Sequence, residues 1–135
     1  MDWSKKTAFV TGAGGFIGSH LAERLVQSGA RVKAFVRYNS RRDTGCLKLL
    51  PPDLYRGLEI IFGDLRNPDD VRRSLKGSHV VFHLGALIAI PYSYVNPREV
   101  IETNVLGTLN VMSAALDHGV ERAVHTSTSE VYGTA

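Results

Sequence analysis

The sequence has one cysteine, Cys46, in 135 residues, which excludes an internal disulfide and any metal site built from several thiolates. It has no apolar run approaching the roughly twenty residues a membrane helix needs. Its opening, MDWSKKTAFVTGAGG, lacks the basic-then-apolar plan of a signal peptide. Together these absences predict a protein of the reducing cytoplasm with no membrane partner. There is no block of one charge sign either: 16 Lys and Arg face 13 Asp and Glu, dispersed along the chain, too mild a balance for a nucleic-acid surface. No low-complexity tract and no internal repeat occurs, so solenoids and linkers are excluded.

What is present reads as one folded unit, with 44% hydrophobic and 21% charged residues. Apolar, β-branched runs alternate with stretches of helical period, the rhythm of βαβ units and a parallel sheet. Five strands are predicted: Thr7 to Thr11, Val32 to Val36, Leu58 to Phe62, Val80 to Leu84 and Ala123 to Thr126. Their low charge suits burial on both faces. The fold class expected is α/β, a Rossmann-type doubly wound sheet of order 3-2-1-4-5.

Phe16 to Gln27 places Ile17, Leu21 and Leu25 on one helical stripe and stops at Gly29. Asn67-Pro68 opens a second helix with a capping side chain, a ring preset for the first turn, and Asp69 and Asp70 at the positive end. Asn96-Pro97 repeats the signal and opens a long helix running to Gly119. On a helical wheel Ile101, Val105, Leu109, Met112 and Leu116 share one face. Val100, Asn104, Gly107, Val111, Ala114 and Ala115 share another, with Glu99, Glu102, Asn110, Ser113 and Asp117 as a polar strip. One apolar face meets the sheet and the other wants a partner helix, from further chain or from a second subunit. Arg37 to Gly57 has no clear period and reads as a long connection with one short helix near Leu47 to Leu50.

VTGAGGFIGSHL, from Val10 to Leu21, follows the first strand and opens the first helix. Gly12 permits the tight turn, Gly15 lets backbone approach a pyrophosphate, and Gly18 lets helix and strand pack closely. No Lys-Ser/Thr pair follows, so this is not a phosphoryl-transfer loop. The second strand ends in Arg37 where an acid would grip the ribose hydroxyl of NAD. A guanidinium suits a 2′-phosphate, with Ser40, Arg41 and Arg42 close by, so NADP is the expected cofactor and NAD the alternative. The competing reading is a solvated arginine at a strand end. Asp64, in GDL after the third strand, can accept from an adenine amino group or simply shape a turn.

Five blocks in order, the glycine loop with FGDLRNPDDV, HLGALIAIPYSY, ETNVLGTLNV and TSTSEVYGTA, resemble the extended short-chain dehydrogenase/reductase family of nucleotide-sugar enzymes. STSEVYG looks most like its 4,6-dehydratases. The resemblance implies that Phe16 and Ile17 join the glycines at the cofactor, that Asp64 and Leu65 flank adenine, that Leu84 and Ala86 line the cofactor beside the fourth strand, and that Thr103 and Asn104 face the site. Gly85 stands where alanine is common. Thr128 is implied to bind the sugar 4-hydroxyl. Glu130 is implied to remove the C5 proton once C4 is oxidised, and Ser129 to assist loss of water from C6 where many relatives have Asp. Without the resemblance Glu130 reads as a surface carboxylate.

The family's catalytic Tyr and Lys, four residues apart, have no counterpart here, because no tyrosine in the sequence has Lys at that spacing. The expectation is therefore the cofactor-binding part of such an enzyme, with little turnover alone and without the substrate domain. Rival readings are a 4-epimerase and a noncatalytic dinucleotide-binding module. Pairing through the helix 97–118 is possible on this reading. No metal is expected: His79 and His83 lie roughly 13 Å apart along a strand, and His20, His118 and His125 lack ligand-like partners in sequence.

Overall fold

The computed structural model describes residues 2–133. The five strands, β1 (Thr7–Thr11), β2 (Arg31–Arg37), β3 (Leu58–Gly63), β4 (Val80–His83) and β5 (Arg122–His125), form one parallel sheet of order β3-β2-β1-β4-β5. β1 lies at its centre, with Val10 opposite Ala34 on one side and Phe82 on the other. All five of its residues are buried. Successive side chains point to opposite faces, and each face finds its own core. Ala8, Val10, Val32 and Ala34 pack with Ala22 and Leu25 of α1 (Phe16–Gln27). Phe9, Phe35 and Val81 pack with Val71 and Leu75 of α3 (Pro68–Leu75) and Val111, Ala114 and Ala115 of α6 (Gly107–Asp117). Phe9 and Phe35 meet with ring centroids 5.4 Å apart. Burial on both faces is why these strands read as continuous apolar runs.

β5 departs from that expectation, since all four of its residues are exposed. It is an edge strand paired only with β4 among the described residues. The connection after β2 also holds more structure than its sequence shows: a 3-10 turn, Gly45–Leu49, and a short helix, α2 (Pro52–Arg56). Five residues are too few for a helical period to register.

Asn67 caps α3 as expected, its side chain accepting from the N–H groups of Asp69 and Asp70 at 3.0 and 3.3 Å. Asn96 makes no such bond. It joins α4 (Ile90–Val95) to α5 (Pro97–Ile101), and the expected uninterrupted helix is broken by a π turn, Glu102–Leu106, before α6. Inside that wide turn Asn104 bonds both backbone groups of Leu87, accepting at 2.8 Å and donating at 2.9 Å. Wide turns of this kind add a residue per turn and commonly sit at functional sites. Of the two apolar faces, the small one is buried: Gly107, Val111, Ala114 and Ala115 face the sheet and α3. Ile101, Val105, Leu109 and Leu116 stay exposed, whereas Met112 packs against the core. Asn110 leaves the expected polar strip to donate to the Leu65 carbonyl at 2.8 Å. No described helix is long and apolar enough to cross a membrane.

Candidate functional site

In a doubly wound sheet the strand order reverses between β1 and β4, and the crevice at the carboxyl ends of the strands is where ligands bind. A cavity of about 520 Å³ opens there, within the range typical of small-molecule sites, about 300–1,000 Å³. Gly12, Gly15, Phe16, Ile17, Gly18, Arg37, Asp64, Leu65, Leu84, Ala86 and Thr103, singled out above from loop chemistry and resemblance, all line it. Ser40 and Arg41 line an adjoining pocket of about 560 Å³ that shares Gly12, Gly15 and Arg37.

The glycine loop is built as its spacing predicts. Gly12 has φ 67°, and a Cβ there would lie 2.8 Å from the Gly85 nitrogen. A Cβ on Gly18 would stand 2.1 Å from the Gly12 carbonyl oxygen, so the helix can lie this close to the loop only without one. Gly15 caps α1 with no side chain bonding the first-turn N–H groups. A Cβ there would meet only the Gly12 oxygen, at 3.3 Å. Uncapped N–H groups and the positive end of a helix dipole, approachable over a bare backbone, suit a pyrophosphate. By this test the residues present fit a dinucleotide.

Gly85 has its own reason for lacking a side chain. A Cβ would come 2.7 Å from Leu65 Cδ1 and 3.1 Å from Thr11 Oγ1. The Thr11 hydroxyl oxygen accepts from the N–H groups of Leu84 and Gly85 at 3.2 and 3.0 Å. Its proton then goes to His83 Nδ1, 2.7 Å away. An accepting Nδ1 leaves the proton on Nε2, which donates to Thr108 Oγ1 at 2.9 Å. Thr108 in turn donates to the Asn104 carbonyl at 2.6 Å. The chain of bonds ties the strand entering the glycine loop to the exit of β4 and the π turn. His83 is 1% exposed, and burial pushes its pKa down to about 4, with nearby His125 adding a smaller push. The two rings stack with centroids 5.2 Å apart, a pairing across β4 and β5 that no spacing in the sequence signals. Among the described residues no group of three or more His, Cys, Asp or Glu is placed to hold a metal ion.

Arg37 and Asp64, the two charged residues of the main cavity's lining, are already partnered. Arg66 bonds both Asp64 oxygens and holds that carboxyl below the usual range. Arg37 donates to Glu99 at 2.8 Å. Arg42, with φ 51°, is turned away over the Phe62 ring, 5.8 Å from its centroid. It therefore does not join Ser40 and Arg41 in lining the pocket, as its nearness in sequence suggested.

Thr128 caps a single 3-10 turn, Ser129–Tyr132, its hydroxyl accepting from the Glu130 N–H at 3.3 Å. Thr128, Ser129 and Glu130 are all exposed. They follow Thr126, which lines the main cavity beyond the end of β5. Thr126, Phe35, Gly63, Leu87 and Ile88 line it without having been singled out by sequence. Gly63 ends β3 and Phe35 lies two residues before the end of β2, and the rule that such sheets bind at their carboxyl ends could have found them.

Residues 9–135 match the family model described as GDP-mannose 4,6 dehydratase. A UDP-glucose 4-epimerase from Pisum sativum is 32% identical over 96% of the chain, which covers 39% of that protein. A UDP-N-acetyl-alpha-D-glucosaminuronate decarboxylase from Bacillus cytotoxicus is 35% identical, with 96% and 38% covered. Among solved structures, MoeE5 in complex with UDP-glucose and NAD superposes with a TM-score of 0.77 at 40% identity, over 96% of this chain and 38% of that one. The chain thus spans about two fifths of the length of the curated relatives it matches. From the glycine loop, the strand order and these matches, the chain belongs to the NAD-dependent epimerase/dehydratase members of the extended short-chain dehydrogenase/reductase family.

Proposed function

We propose that this chain is the cofactor-binding part of a nucleotide-sugar 4,6-dehydratase that uses NADP, with NAD as the alternative. The observation that supports the reading is that Thr128, Ser129 and Glu130 follow closely in the chain on Thr126, which lines the cavity of the glycine loop. An epimerase moves only the hydrogen at C4 and needs no such base. When bound, the nicotinamide supplies hydride acceptance from C4 and return at C6. The chain's own residues do the rest: Gly12, Gly15 and Gly18 bring backbone to the pyrophosphate, Arg37, Ser40 and Arg41 hold a 2′-phosphate, and Asp64 and Leu65 bracket adenine. Leu84, Ala86 and Thr103 shape the space beside the fourth strand.

Thr128 binds the sugar 4-hydroxyl, Glu130 takes the C5 proton and Ser129 orients the departing hydroxyl. General-base help is worth roughly 10²–10⁴-fold, and no Tyr with Lys four residues on is present to provide it at C4. The chain alone binds but turns over little. The exposed row Ile101, Val105, Leu109 and Leu116 pairs with its copy in a second subunit, and the working compartment is the cytoplasm.

Calorimetric titration of the 135-residue chain with NADP and NAD tests the cofactor reading. Tighter NADP binding, reversed in Arg37→Asp, is expected; equal affinities, or no change in the variant, would refute the 2′-phosphate role. In any longer product containing this chain, Glu130→Gln should stop formation of the 4-keto-6-deoxy sugar while C4 oxidation persists, which a 4-epimerase would not show.

A further inference from the structure

Arg37 is the only charged residue, among those described, that lines both the main cavity and the pocket of Ser40 and Arg41. It ends β2, yet its partner comes from α5, which follows β4 in the chain. Glu99, on α5, accepts from Arg37 Nη2 at 2.8 Å, and Arg66 Nη1 lies 3.4 Å from the same oxygen. The Tyr92 hydroxyl donates to the other Glu99 oxygen. Arg66 is otherwise spent on Asp64. Two guanidiniums and two carboxylates thus make a neutral chain across the ribose end of the crevice. Arg37 is its most exposed member, at 63%, and Glu99 its least, at 22%.

We propose that Glu99 is a positioning residue for cofactor choice: acting through Arg37, it lowers the preference for a 2′-phosphate over a 2′-hydroxyl. The inference rests on the reading that the cavity holds a nicotinamide dinucleotide with its ribose at Arg37. In a Rossmann site the acid that disfavours the phosphate usually stands at the end of the second strand. Here that position is the arginine, and the carboxylate arrives from another element to sit on it. A guanidinium carries five donors in a planar fork, so Arg37 can hold Glu99 by one arm and present the rest to a ligand. The phosphate must then share its cation with a second anion, whereas a ribose hydroxyl meets no such competition. Glu99 stays ionised at neutral pH, because first the Tyr92 hydrogen bond and then the Arg37 charge hold its carboxyl below the usual range.

Glu99→Gln keeps the shape and an accepting oxygen but removes the charge. Titrating the full chain and this variant with NADP and NAD should show the NADP:NAD affinity ratio rising roughly tenfold, the scale of one charge-assisted contact. In an Arg37→Met background the same substitution should leave the ratio unchanged. Equal weakening of both nucleotides would make Glu99 a packing element of α5 and overturn the proposal. A ratio effect that survives without Arg37 would also overturn it. Binding of neither nucleotide to the unsubstituted chain would bring down the cofactor reading itself, and this proposal with it.

Discussion

His83 makes folding stability depend on pH in a window where few other side chains titrate. Its ordinary pKa of 6.5 falls to about 4 in the folded chain. An unfolded chain therefore takes up a proton on this ring between these two pH values while the folded chain does not. Stability is fully present above pH 6.5 and drains away as pH falls toward 4. Each tenfold difference in proton affinity is about 1.4 kcal/mol, so the whole effect is roughly 3 kcal/mol, a large share of a typical domain's stability. His83→Gln cannot titrate but can accept from Thr11 and donate to Thr108. Urea unfolding of both proteins between pH 4.5 and 8 isolates the contribution as a difference, since other ionisable groups cancel. The original chain should lose stability relative to the variant as the pH drops, by about 1.4 kcal/mol per pH unit at the steepest point. A flat difference, or one of opposite slope, would refute the neutral Nε2–H assignment and the bond chain built on it.

Gly18→Ala should force backbone apart, because the new methyl would sit 2.1 Å from the Gly12 oxygen. A cost of about 1–3 kcal/mol in urea unfolding and loss of dinucleotide binding by calorimetry are expected. Asn67→Ala removes the cap on two N–H groups of α3 and should cost about 1 kcal/mol in the same unfolding assay, with nucleotide affinity unchanged. Leu109→Lys replaces an exposed apolar side chain on the unpartnered face of α6. It should shift stability by no more than about 0.5 kcal/mol while reducing self-association seen by sedimentation. Unaltered sedimentation in a chain that does associate would rule out this face as the contact.

The strands and the glycine loop were legible because each rests on local chemistry, whereas Leu84, Ala86 and Thr103 of the cavity lining came from the resemblance. A buried parallel strand must be apolar throughout, and a tight βα turn must carry glycine, so β1 and the loop from Gly12 to Gly18 are written plainly. Strand ends follow from the same apolar runs to within a residue or two. What stayed hidden depends on distant partners. That Arg37 is met by Glu99 sixty-two residues later, or that His125 stacks on His83, leaves no trace in spacing. The break in the long helix was illegible for a related reason, since Asn104 looks like an ordinary helical residue until its bonds to Leu87 are seen. The exposure of β5 likewise reflects an outer side that no described strand or helix covers, not the composition of the strand.

The central position of β1 also fixes the order in which the sheet can assemble. Its pairing with β2 closes a loop of modest length, but Ala8 meets Val80 across 72 residues. Closing the longer loop costs more chain entropy, and contacts of that separation form late. On the ribosome the first strand made is thus the first to be sheathed on one flank, by β2 and β3, while its other flank waits for β4. Until then Phe9 has α3 to shelter it but neither Val81 nor α6. Pulsed hydrogen exchange should find amides of β1 to β3 protected before those of β4 and β5. The interval between those events is when a nascent or refolding chain is most exposed to chaperones and to aggregation.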